Sequence, residues 1–102
     1  MQQTIGTTTI DVNEEGYLTD AGQWTPELAH QIAATQDIEL TDKHFEVLNY
    51  LRERYAEGTP LTIRRIGKSG LVNIKEFYNL FPGGPLKVSS KIAGIPKPAS
   101  CV

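Results

Sequence analysis

The sequence predicts a small α+β domain, in which a short N-terminal antiparallel β-meander packs on an array of about four helices and a flexible C-terminal arm follows. Three observations carry this. Residues 2–20 alternate short β-prone pieces with turn sequences, and residues 25–81 set helix caps ahead of apolar stripes of helical period. Pro82-Gly83-Gly84-Pro85 then breaks the helical pattern before a tail that holds the single cysteine. At 102 residues, with 39% hydrophobic and 22% charged side chains, the chain can bury one modest core but not two. The expected division is a compact domain over residues 1–82 and a mobile arm over 83–102.

Gln3-Thr4-Ile5, Thr8-Thr9-Ile10-Asp11-Val12 and Tyr17-Leu18-Thr19 are the strand pieces, separated by Gly6 and by the turn sequence Asn13-Glu14-Glu15-Gly16. The period of 2 puts Ile10 and Val12 on one face, which a helix must cover in so small a sheet. Thr25-Pro26-Glu27 is a helix start: Thr25 caps, Pro26 suits the first helical position, and Glu27 meets the positive end of the dipole. This helix runs to about Gln36, with Leu28 and Ile32 inward and Ala29 and Ala33 beside them. Trp24, just ahead of it, is assigned to packing where helix meets sheet rather than to ligand stacking.

Thr41 opens the longest helix, Asp42 to about Glu57, closed by Gly58 and Pro60. Phe45, Leu48, Leu51 and Tyr55 form its core stripe, Val47 widens it, and Arg52, Glu53 and Arg54 fall mostly on the solvated side. A short helix is expected over residues 61–68 and another after Asn73, with Glu76 completing a capping box and Ile74, Phe77, Leu80 and Phe81 buried. An extended chain from Gly83 to Cys101 would span roughly 50 Å at about 3.1 Å per residue, less where residues 88–95 are helical.

Composition removes several function classes. There is no apolar run long enough for a membrane span and no basic-then-apolar leader, so the expected location is cytoplasmic, with no membrane partner. One cysteine excludes an intrachain disulfide and a cysteine-based metal cluster. His30 and His44 lack a second ligand type at a binding interval and are read as ordinary surface or half-buried histidines, so no metal and no cofactor is expected. A net charge of −2 gives no global basic footprint. The two short helices superficially resemble a helix-turn-helix, with Arg64, Arg65, Lys68 and Lys75 as phosphate contacts. A solvated basic face is the preferred reading, and direct nucleic-acid binding is disfavoured.

Cys101 stands one residue from the end of the sequence, behind Gly94-Ile95-Pro96-Lys97-Pro98. The prolines favour an extended backbone and Gly94 supplies a pivot upstream, which makes a semi-rigid tip. A thiolate attacks sulfur or carbon electrophiles and can hold a sulfane sulfur as a persulfide. Lys97 favours the thiolate and the α-carboxylate of Val102 opposes it. A self-contained cysteine enzyme would need a base oriented on the thiol, and neither histidine shows sequence pairing with it. The residues alone leave two readings, a group carrier and an incidental thiol, and the Gly-x-Pro-x-Pro framework favours the first. The arm also carries Lys87 and Lys91 and no acidic side chain, which suits docking in an acidic or phosphate-bearing cleft. Cys101 is thus the candidate catalytic residue, and Lys87, Lys91, Gly94, Pro96, Lys97 and Pro98 are candidate docking residues.

Leu80-Phe81-Pro82-x-Gly84-Pro85, followed by Lys91-Ile92-Ala93-Gly94-Ile95-Pro96-Lys97-Pro98-x-x-Cys101-Val102, closely resembles the C-terminal signature of the DsrC/TusE family of sulfur-relay proteins. Glu15-Gly16-Tyr17-Leu18, Gln23-Trp24 and Leu40-Thr41-x-x-His44-x-Glu46-Val47 also resemble the family pattern. The resemblance implies a sulfurtransferase-type carrier in which Cys101 is the penultimate sulfur-carrying cysteine and sulfur-donor and sulfur-acceptor proteins dock the arm. It also implies departures. Ser90 stands where DsrC proteins of dissimilatory sulfur metabolism have a second arm cysteine, so the pattern is TusE-like, a branch that serves 2-thiouridine formation in tRNA. The stretch between Tyr55 and Tyr78 is shorter than in typical members. The alternative implied is a DsrC-like accessory subunit of a sulfite reductase or a related sulfur-oxidising assembly. A helix-turn-helix DNA-binding regulator is third.

Overall fold

β1 (Gln2–Ile5) and β2 (Thr8–Asp11) pair antiparallel, Gln3 opposite Ile10 and Thr4 opposite Thr9, in a computed structural model that describes residues 1–97. Gly6, with φ 60°, occupies the first of the two loop positions, where a tight hairpin needs a positive φ. The expected third strand shortens to one bridge between Val12 and Leu18. The Asn13 side chain accepts from the backbone N–H groups of both Glu15 and Tyr17, which curls the chain and leaves little of it straight enough to pair.

The helices begin where their caps stand. Thr25 caps α1 (Pro26–Thr35), Thr41 caps α2 (Asp42–Ala56), Thr62 caps α3 (Ile63–Gly67), and Asn73 with Glu76 forms the capping box of α4 (Ile74–Leu80). Ile10, Val12 and Leu18 of the sheet meet Leu28 and Ile32 of α1, Val47, Leu48 and Leu51 of α2, and Phe77 and Phe81 in one core.

Three side-chain assignments change. Tyr55 is 46% exposed because α2 outruns the core in its last turn, and Ile74, in the first turn of α4, is 47% exposed. His44, expected at the surface or half-buried, is buried. It takes the third position of α2's own capping box, where Nδ1 accepts from the Thr41 N–H at 3.1 Å. The hydrogen therefore sits on Nε2, which donates to the Leu80 carbonyl 2.9 Å away, while the ring meets Phe81 edge-on. This bond ties the start of α2 to the end of α4.

The largest difference lies at the boundary placed between residues 82 and 83. Pro85 does not end helical structure but begins a fifth helix, α5 (Pro85–Ile92). At the first helical position a proline loses no hydrogen bond, and Gly84, with φ 106°, turns the chain into it. α5 packs on α1, α2 and α4, with Leu86 and Ile92 fully buried and Ile95 buried behind them. The compact body thus extends to Ile95, and any arm starts after it. Among the described residues no helix is long and apolar enough to cross a membrane.

Candidate functional site

The end of α5 is built from local and distant bonds together. Ala93 is its C-cap, and Gly94 follows in the left-handed conformation with φ 71°. The Gly94 N–H donates to the Lys91 carbonyl and the Ile95 N–H to the Ser90 carbonyl, each at 3.2 Å, the paired closure typical of a glycine-ended helix. Two side chains from elsewhere take the next carbonyls. Trp24 Nε1 donates to the Ile92 oxygen at 2.8 Å, and Arg52 Nη1 to the Ala93 oxygen at 2.7 Å. Arg52 Nη2 also reaches the Ala21 oxygen at 3.2 Å, and its guanidinium lies 4.3 Å from the Trp24 ring centroid. Burial lowers Arg52 from the ordinary guanidinium value, yet a guanidinium keeps its charge in proteins.

A Cβ on Gly94 would lie 2.5 Å from Trp24 Cδ1 and 2.9 Å from Cγ. Glycine is therefore required twice over at this position, by backbone conformation and by the indole.

Beside this root an open cleft of 220 Å³ runs between the 13–16 turn and α5, lined in part by Glu15, Tyr17, Lys87 and Lys91. Tyr17 is buried, its hydroxyl 3.5 Å from the Lys87 carbonyl, and Lys91 Nζ lies 5.3 Å from its ring centroid. Lys97 makes an ion pair to Glu15 Oε2 at 2.8 Å. That hydrogen bond holds the Glu15 carboxyl below the usual carboxylate range. The charges of Lys97, Lys87 and Lys91 add to it, and desolvation opposes.

A family model described as DsrC like protein matches residues 4–102. The chain belongs to the DsrC-like family. It is 42% identical over 101 residues to the sulfurtransferase TusE of Salmonella typhimurium strain LT2, covering 91% of this chain and 93% of that one. Its fold matches the solution structure of DsrC from Allochromatium vinosum with a TM-score of 0.83 at 37% identity, each chain covered in full. The oxidised γ-subunit of dissimilatory sulfite reductase, DsrC from Archaeoglobus fulgidus, matches with a TM-score of 0.81 at 31% identity, again with both chains covered in full.

For this DsrC-like chain the candidate residues fall into three groups. Cys101 and Pro98 lie outside the described residues. Lys87 and Lys91 project from α5 into the cleft, and Lys97 and Pro96 are exposed beyond it. Gly94 is not a pivot: it is buried, hydrogen-bonded and covered by Trp24. Ser90 is fully buried, and its Oγ has no hydrogen-bond partner among the described residues. Sequence reasoning missed the roles of Arg52 and Glu15 and gave Trp24 a different packing partner. The signal available for Glu15 and Trp24 was their place in the Glu15-Gly16-Tyr17-Leu18 and Gln23-Trp24 patterns. Among the described residues, no three His, Cys, Asp or Glu side chains converge to hold a metal ion.

Proposed function

We propose that this DsrC-like protein is a cytoplasmic sulfur carrier that accepts a sulfane sulfur on Cys101 and passes it to an acceptor protein. The observation that carries the reading is the match of the family model through to residue 102, which takes in the single cysteine of the chain. The 42% identity to a protein named a sulfurtransferase supports it. Chemically, the Cys101 thiolate attacks the outer sulfur of a donor persulfide. A new sulfur–sulfur bond forms at Cys101, the donor's bond breaks, and the donor leaves as a thiolate, with no net oxidation. Delivery repeats the step with the acceptor's thiolate as nucleophile.

One thiol suffices for this exchange. With serine at position 90 the chain has no second cysteine to form an internal disulfide, so sulfur leaves by transfer rather than by oxidative release. Lys87, Lys91, Pro96, Lys97 and Pro98 guide the cysteine into an acidic cleft on the donor or acceptor protein, and the acceptor lies in a TusE-like pathway toward thiolated tRNA. A second reading, a DsrC-like subunit of a sulfite reductase, is favoured by the fold match to the Archaeoglobus fulgidus γ-subunit. Stable copurification with such an enzyme would select it.

The test is made in cells. The chain is purified after rapid alkylation, and the tryptic peptide containing Cys101 is examined by mass spectrometry. The proposal expects a fraction carrying one extra sulfur between Cys101 and the alkyl group, absent from Cys101→Ser. Absence of that species from wild type, in cells where a known carrier shows it, overturns the proposal.

A further inference from the structure

We infer that Trp24 and Arg52 are positioning residues for the Cys101 thiol: they pin the end of α5, so that the chain leading to the cysteine leaves the body at a fixed root, Ile95, and not at a hinge near Gly83. The inference deepens the carrier reading and rests on it only for the use to which the pinned root is put.

The last carbonyls of a helix have no partner within the helix and are ordinarily left to water or to a cap. At the end of α5 they are all engaged. Gly94 and Ile95 close on Lys91 and Ser90, while the oxygens of Ile92 and Ala93 accept from side chains 68 and 41 residues away in sequence. Arg52 is the junction, because one guanidinium bonds Ala93, bonds Ala21 and covers the indole that bonds Ile92. A charged donor makes the stronger kind of hydrogen bond, and a planar fork holds two acceptors in fixed directions. The indole also rests on Gly94, so a rotation of this last turn would have to displace it.

The consequence is a short tether. From Ile95 to Cys101 there are six residue steps, which reach about 20 Å at full extension. A hinge at Gly83 would allow more than twice that. A donor or acceptor must therefore bring its sulfur close to the face formed by Glu15, Lys91 and the end of α5. Chains that cannot dock there are excluded by length alone.

The molecule supplies its own probe pair, since it has one tryptophan and one cysteine. Time-resolved energy transfer from Trp24 to an acceptor dye on Cys101 is measured in the full chain for wild type, Arg52→Met and Arg52→Lys. Wild type is expected to give short donor–acceptor distances bounded by the tether. Arg52→Met should shift the distribution to longer distances and broaden it at unchanged far-ultraviolet circular dichroism. Arg52→Lys, which can keep one of the two carbonyls, should fall between. A distribution in folded Arg52→Met that matches wild type overturns the inference. Amide exchange on wild type gives a second arm that needs no variant. The Gly94 and Ile95 amides should exchange at least about 100-fold more slowly than the rates of an unstructured chain of the same sequence, and rates equal to those of the unstructured chain overturn the inference. Loading of Cys101 by inorganic polysulfide is read on the same samples. Its failure removes the carrier reading and leaves the pinned root standing, whereas unchanged distances with normal loading remove the pinned root alone.

Discussion

Residues 85–95 and the two residues that follow them are alike in composition and opposite in setting. Both contain proline and lysine, yet the first run is helix and core, while Pro96 and Lys97 are exposed and Lys97 meets Glu15 at the surface. The difference lies in the apolar positions. Leu86, Ile92 and Ile95 are buried, and they give α5 a face that α1, α2 and α4 can cover. After Ile95 the next apolar side chains in the sequence are small or proline until Val102. Proline and glycine content marks where a helix can start or stop, but the spacing of large apolar residues decides which side of that mark belongs to the core.

The strongest way to erase the contrast is Gly94→Ala. The left-handed backbone alone costs about 1–2 kcal/mol for a residue with a Cβ, and that Cβ would lie 2.5 Å from Trp24. A total loss of about 3 kcal/mol is expected in chemical denaturation, with overpacking as the second contribution. Arg52→Met should cost somewhat less, about 2 kcal/mol, from loss of charged hydrogen bonds to Ala93 and Ala21.

Ser90→Ala sharpens the comparison from the other side. It removes a buried hydroxyl that has no partner among the described residues, so stability should hold or rise by about 1 kcal/mol. In Ser90→Cys the new thiol stays inside the body, and alkylation under native conditions should modify Cys101 well before it.

The smallest effect belongs to the exposed ion pair. Because Lys97 depresses the Glu15 pKa, the folded value lies below the unfolded one, and the pair's contribution is present above the unfolded value. It is lost as pH falls through the folded value, below 4.5. Titration of Glu15 by nuclear magnetic resonance should show a depressed midpoint that Lys97→Gln raises. Added salt should weaken the same contact.

Much of this fold is legible in the sequence because it is set locally. Thr25, Thr41 and Asn73 cap as their positions require, and Ile10, Leu28, Leu48 and Phe77 are buried where period and caps put them. The parts that were not legible depend on distant acceptors. Arg52 reads as a solvated helix residue until backbone carbonyls 31 and 41 residues away turn toward it. His44 similarly becomes a buried link only through the Leu80 carbonyl, 36 residues on. Gly94 reads as a pivot because its sequence shows freedom, while its structure shows an indole in the place of a side chain. The thiol itself was found from composition and the family signature, with no help from packing.

The most direct test of the central claim, that Cys101 carries sulfur alone, is the intact mass of the purified chain after inorganic polysulfide, read before and after cyanide. The account predicts that wild type gains one sulfur atom per chain, that cyanide removes it as thiocyanate, and that Cys101→Ser gains none. No gain in wild type, or an equal gain in both proteins, would contradict it.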